Sequence, residues 1–230
     1  MIPLPFVTDC SQPWLAVDLG TDCRLLSWAP HRPGFQIARR VVWREVRNAD
    51  LTPDVDALAL LRDGLADLGA LDAVAMMTSR DIRRHFTSRA AVDGVSAACL
   101  ATVGLGNGER VGRRRHARPP GFGTVNMLVH VSQPLDDIAL LEAQSVAVQA
   151  RTLAILEGDY RPDPDLPPIT GTGTDCIVMA CPVAGTPAPY AGLHTAVGEA
   201  VGAAVLSAVR AGVADWLAER ALDKAGAAPL

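Results

Sequence analysis

Cys176-Ile177-Val178-Met179-Ala180-Cys181 is an unbroken apolar run, and the segment before it, Thr170-Gly171-Thr172-Gly173-Thr174-Asp175, is entirely small and polar. A short run without alternation predicts a strand buried on both faces, here over 175–181, which requires a sheet sandwiched between other layers. The preceding loop combines two glycines that let a ligand approach the backbone, three short hydroxyls and one carboxylate at the mouth of that strand. A reaction site is commonly furnished in this way.

The rest of the chain supplies the other layers. Residues 14–18 and 23–29 flank Gly20-Thr21-Asp22 and predict an early hairpin, with a third strand over 36–46. Val55, Leu58, Leu60, Leu61, Leu65 and Leu68 have helical spacing between 53 and 71, and the buried strand 73–77 follows. Strands are expected at 94–103 and 124–131, and helices from Pro134 to Glu157 and from Gly192 to Glu219. Strands and helices interleave without strict alternation. The expectation is an α/β chain of the α+β type: a single domain over 1–230, with a core of about 14–220, in which helices cover a mixed sheet.

A formal charge of −4 removes the long-range field with which nucleic-acid binders collect phosphates. One basic segment stands out, Arg110, Arg113, Arg114, Arg115, His116 and Arg118, readable as a solvated loop or as a patch for anions. The five cysteines are scattered without a CxxC pair, which fits a reducing cytoplasm rather than a disulfide framework. The N-terminus lacks the pattern of a signal peptide, and no uncharged apolar stretch reaches the roughly 18 residues of a membrane span. The histidines have no HxH or HExxH spacing, so no protein-held metal is expected.

Taken singly, the candidate site residues are ambiguous. On the helix 135–157, projection places Ile138, Leu141, Val146, Val148, Leu153, Ile155 and Leu156 on the buried face, with Glu142, Ser145, Gln149 and Thr152 running down its middle as a polar stripe. Such a stripe is either a satisfied structural network or one wall of a site. His194 stands near the start of the last helix, where a neutral imidazole can act as a base or simply as a cap. Ser79, Arg80 and Asp81 follow a buried strand, where active-site loops concentrate, although Arg80 and Asp81 can also pair with each other. Asn107, in Gly104-Leu105-Gly106-Asn107-Gly108, either donates to an oxyanion or tolerates a left-handed turn.

In combination and in this order, the segments resemble the adenosylcobinamide amidohydrolase (CbiZ) family. The matching residues are Thr78-Ser79-Arg80-Asp81, Gly104-Leu105-Gly106-Asn107 with Arg110 and Gly112, Gly123-Thr124-Val125-Asn126, Ala147 to Thr152, Thr170 to Asp175, and Tyr190-Ala191-Gly192-Leu193-His194-Thr195. One stretch departs. Where the family reads Thr-Glu-Ala-Lys, this chain has Val148-Gln149-Ala150-Arg151.

The resemblance implies hydrolysis of the amide between a corrin propionate and aminopropanol, releasing adenosylcobyric acid in corrinoid salvage. Cobalt would enter with the corrinoid substrate, so no separate cofactor is expected; nor is a nucleic-acid or membrane partner, and a homo-oligomer is compatible with the sequence. On this reading Asp175 and His194 share the proton transfers, and Asn107 with the backbone N–H groups of Gly171, Thr172, Gly173 and Thr174 holds the oxyanion. Ser79, Arg80, Asp81, Asn126, Gln149 and Thr195 contact substrate, and the loops 78–90, 104–123 and 182–192 border the pocket. Two other classes remain open at this point. Val17-Asp18-Leu19-Gly20-Thr21 looks like the first phosphate loop of actin-like kinases, and the Gln149 departure would suit a corrinoid-binding module without turnover.

Overall fold

The computed structural model describes residues 4–52, 54–113 and 123–226; Arg114, Arg115, His116 and Arg118 lie outside them. The elements run β1 (Val7–Ser11), β2 (Trp14–Ser27), β3 (Gly34–Glu45), α1 (Ala57–Asp67), β4 (Val74–Thr78), β5 (His85–Val92), β6 (Val95–Val103), β7 (Gly108–Glu109), β8 (Val125–Val131), α2 (Asp137–Glu157), β9 (Gly171–Thr172), β10 (Cys176–Pro182) and α3 (Ala196–Gly226). The main sheet has the order β4-β3-β2-β10-β8-β6-β5, with β1 beside β2. It is mixed: β10 runs parallel to β8 and β3 to β4, while the other neighbours are antiparallel.

Burial explains why this sheet folds over on itself. Val125, Met127, Val129 and Val131 of β8 pack with Ala143, Ala147, Val201 and Val205 of the two long helices. On the opposite face, Leu128 of β8 and Val178 of β10 are buried with Leu100 of β6 and with Leu15, Trp43 and Met76 from β2, β3 and β4. Outside β3 and β4, Val42 and Ala75 meet Leu61 and Leu65 of α1. The result is four layers: α2 with α3, one half-sheet, the other half-sheet, and α1. The run 176–181 is covered on both faces, as its composition requires.

The structure corrects several sequence expectations. Residues 14–27 form one strand rather than a hairpin, because the irregularity between Asp18 and Cys23 is a bulge; Gly20 has φ 78° and donates its N–H to Asp18 Oδ1 at 2.8 Å. A bulged strand is not the strand-turn-strand of an ATP phosphate loop. Strands β1 and β5 were not anticipated, and β5 fills half of the expected loop 78–90. The last helix begins at Ala196, where Thr195 Oγ1 accepts the Gly198 N–H at 2.9 Å, and it continues to Gly226. Its Ala196–Asp223 stretch is long and apolar enough to cross a bilayer, yet here it packs over β5, β6 and α2.

The largest correction concerns the phase of α2. Its buried residues are Ala139, Leu140, Ala143, Val146, Ala147, Ala150, Ala154 and Ile155, whereas Ile138, Leu141 and Leu153 are exposed. Ser145 and Gln149 face outward, joined by a 3.4 Å hydrogen bond, so the polar stripe is not an inner wall. Small side chains let α2 approach α3 and the sheet closely, and that close packing outweighs the burial of a few larger residues.

His130, on β8, is buried, and desolvation assisted by the Arg89 charge pushes its pKa from 6.5 down to about 4. The folded protein therefore holds a neutral imidazole where the unfolded chain protonates. This contribution to stability is complete above the unfolded value and is lost as pH falls from about 6.5 to about 4, up to about 3 kcal/mol. Denaturant midpoints measured from pH 7.5 to 4.5 should fall less steeply in His130→Leu than in the parent; parallel curves would refute the assignment.

Candidate active site

The loop before β10 is organised by Asp175. Its Oδ1 accepts from the Val125 N–H at 2.8 Å and the Thr172 hydroxyl at 2.5 Å; its Oδ2 accepts from the Thr172 N–H at 2.9 Å and pairs with Arg151 Nη1 at 3.0 Å. The Asp175 and Arg151 side chains are only 6% and 12% exposed. Gly171 makes room for this arrangement, since a Cβ there would lie 2.8 Å from Asp175 Oδ2.

Neighbouring strand ends complete the surroundings. The single proton of the Thr124 hydroxyl is shared between two acceptors, the Thr174 carbonyl at 2.8 Å and Asn126 Oδ1 at 3.0 Å, and Asn126 Nδ2 donates to the Met77 carbonyl at 2.7 Å. Strand β7 pairs with β9, bringing Glu109 opposite Gly171. The backbone of Gly123 crosses that of Gly104 so closely that a Cβ on Gly123 would lie 2.6 Å from the Gly104 oxygen. Between these parts opens a cleft of about 330 Å³ lined by Glu109, Arg110, Val111, Arg151, Thr170, Gly171, Thr172, Gly173 and Asp175. Asn107 stands at its edge: the Gly173 N–H donates to the Asn107 carbonyl at 3.4 Å, and the Asn107 amide lies against Gly173.

This geometry separates the expected proton-transfer pair. Asp175 immediately precedes β10, whereas His194 follows it, beyond a loop whose Ala188 bonds Pro134 and Asp136 and whose Ala191 N–H donates to Glu142 Oε2 at 2.7 Å. Seven residues of strand span roughly 20 Å. On α2, Glu142 and Arg151 mark the same two ends, roughly 13 Å apart along the axis. His194 is exposed at the far end, and Thr195, which donates to the Gly192 carbonyl at 2.8 Å, caps α3 there.

Other candidates are also reassigned. Four donors use the four lone-pair positions of the Asp175 carboxylate, so it organises the loop and has none left for a water proton. The N–H groups of Thr172, Gly173 and Thr174 are directed to Asp175, the Asn107 carbonyl and Thr172 Oγ1, leaving the expected oxyanion donors engaged inside the loop. Arg80 is buried in a clamp: Arg80 and Arg84 each pair with both Asp215 and Glu219 of α3. Asp81 pairs with Arg83 at 2.6 Å rather than with Arg80, and Ser79 is exposed beside it. Asn126 is buried with both ends of its amide bonded, so it holds strands together, and Gln149 lies on the outer face of α2.

Sequence reasoning missed Glu109 and gave Arg151 no part in the site. Glu109 follows a glycine turn and carries no motif. The inward phase of Arg151 could have been read from its alanine neighbours, Ala147, Ala150 and Ala154.

With acid, amide and guanidinium groups gathered in a cleft at the ends of layered strands, the chain has the build of an α+β enzyme. The model of the adenosylcobinamide amidohydrolase family matches residues 5–221, and the chain belongs to that family. It is 36% identical over 120 residues to the adenosylcobinamide amidohydrolase of Halobacterium salinarum, an alignment covering 50% of this chain and 48% of that one. The match thus spans about half the length of that relative. Among solved structures, a Burkholderia sp. beta-aminopeptidase is similar at TM-score 0.44 and 11% identity, with 89% of this chain and 78% of that one covered. The l-aminopeptidase d-ala-esterase/amidase of Ochrobactrum anthropi is similar at TM-score 0.41 and 12% identity, with coverage of 90% and 82%.

Proposed function

We propose that this protein hydrolyses adenosylcobinamide, cleaving the amide between a corrin propionate and aminopropanol to release adenosylcobyric acid for corrinoid salvage in a reducing cytoplasm. Family membership across nearly the whole chain is the observation that carries this reading. The cleft, about 330 Å³, suits the amide arm of a corrinoid and not the macrocycle, which would rest outside against the loops at its rim. Cobalt arrives within the substrate.

The chemistry follows from the groups in and beside the cleft. Water attacks the amide carbonyl carbon; Glu109, the carboxylate of the cleft other than Asp175, takes the water proton and returns it to the departing nitrogen. The Asn107 amide donates to the developing oxyanion, and the Arg151 guanidinium, whose Nε is buried with no hydrogen-bond partner among the described residues, adds positive charge nearby. Gln149 stands away from this cleft on the outer face of α2, so the departure at that position gives no support to a module that binds without turnover. Incubation with adenosylcobinamide followed by mass spectrometry should show adenosylcobyric acid and free aminopropanol in equal amounts. Tight corrinoid binding without either product would overturn the hydrolase reading in favour of such a module.

A further inference from the structure

Of the four tryptophans, three are used inside the fold: Trp43 is fully buried, Trp14 lies beneath the Arg44 guanidinium at 5.2 Å, and Trp216 meets Tyr160 edge-on at 4.7 Å. Trp28 differs. It is 46% exposed, and among the described residues no ring or guanidinium stacks on its face. The side chain is nevertheless held in place: Trp28 directly follows β2, and its Nε1 donates to the Asp175 carbonyl at 2.7 Å. That bond uses the one polar group of the indole, so Trp28 presents solvent with a fixed apolar π-face. It does so against the residue whose carboxylate lines the cleft. The apolar surface extends onto β3, where Phe35, 45% exposed, stands opposite Leu26, two residues before Trp28.

We propose that Trp28 is the platform on which the corrin macrocycle of the substrate rests, with Phe35 extending it. This rests on the amidohydrolase reading above. With the amide arm in the cleft the macrocycle stands outside, and a propionyl chain puts only two methylene groups between the scissile carbonyl and the ring. The macrocycle must therefore settle on the surface immediately around the cleft, where the indole is tied to the Asp175 backbone. A corrin is a broad conjugated ring fringed by methyl groups and amides, and a rigid aromatic side chain gains contact with such a surface at little entropic cost. Hydrolysis leaves the macrocycle on the acyl product and releases only the amine. Trp28 thus touches substrate and product alike, a contact that acts on binding and not on the barrier to bond cleavage.

The test titrates adenosylcobyric acid, which has the macrocycle but no scissile amide, into the full chain by calorimetry. Trp28→Ala should weaken binding about tenfold, whereas Trp28→Phe, which keeps a ring but cannot donate to the Asp175 carbonyl, should stay within about threefold of the parent. With adenosylcobinamide as substrate, Trp28→Ala should raise KM about tenfold and leave kcat in place. Equal weakening in the Phe and Ala variants would mean that the indole acts only through its hydrogen bond to the loop, and would overturn the platform. Parent-like affinity in Trp28→Ala, or no binding of adenosylcobyric acid by the parent, would overturn it as well. So would a loss that vanishes when cyanide replaces the adenosyl ligand, since the indole would then meet adenine and not the macrocycle. If adenosylcobinamide is not cleaved, the hydrolase reading fails, and the titration still decides the platform separately.

Discussion

Replacing Glu109 by glutamine is expected to lower kcat for adenosylcobinamide by about 10²- to 10⁴-fold, the range over which a positioned general base contributes. The substitution keeps the size of the side chain and removes its charge together with its ability to take a proton. The fall should lie in kcat rather than in KM. His194→Ala provides the contrast. With its ring at the opposite end of β10, its loss should alter kcat by less than about threefold, far below the general-base range. Steady-state rates for the two variants beside the parent check both statements. A large drop in the His194 variant with full activity in the Glu109 variant would return the base to the far end of the strand and dissolve the cleft proposed here.

The sequence shows its central strand and its helices more clearly than the way they face. The run 176–181 could only be a covered strand, and the turn-bounded segments 36–46, 73–77, 94–103 and 124–131 each correspond to a strand in the structure. What misled was the weighting of side chains. On α2, Ile138, Leu141 and Leu153 outweigh alanine in any projection, yet the tight contact with α3 and β8 is made by Ala143, Ala147 and Ala150. Val146 and Ile155 are buried as expected, but with the alanines turned to the core Arg151 reaches Asp175 and Gln149 faces outward. Strand β5 hid for a related reason: along His85–Val92 polar and small apolar residues mix without clean alternation, because this is the outermost strand of the sheet and most of its residues are half-buried. For the site, the glycine-threonine loop is legible as a loop, but which end of a strand a distant residue reaches is a matter of topology. Asp175 and His194 bracket β10 in sequence, and a strand keeps its two ends apart. Glu109 comes to the cleft only because β7 pairs with β9, a two-residue ladder that no periodicity announces.

Asp175→Ala is expected to destabilise the fold by about 3–5 kcal/mol, the cost of leaving one member of a buried ion pair alone. Arg151, its side chain 12% exposed, would lose the one carboxylate it pairs with among the described residues, and the N–H groups of Val125 and Thr172 and the Thr172 hydroxyl would lose their acceptor. Because those donors shape the loop that lines the cleft, activity should fall as well, by about 10²-fold for a displacement near 1 Å. Asp175→Asn keeps the volume but turns an N–H toward groups that are themselves donors, so it too should lose stability, by about 2 kcal/mol. The scaffold role makes a specific prediction about coupling. In a double-mutant cycle, Arg151→Gln should cost much less in the Asp175→Asn background than in the parent, because the charge it would orphan is already gone. Urea denaturation of the four proteins measures this, with kcat recorded on the same samples. If Asp175→Asn unfolds at the parent's midpoint while kcat collapses, the carboxylate is handling protons after all, and its four hydrogen bonds hold a base in place rather than the loop.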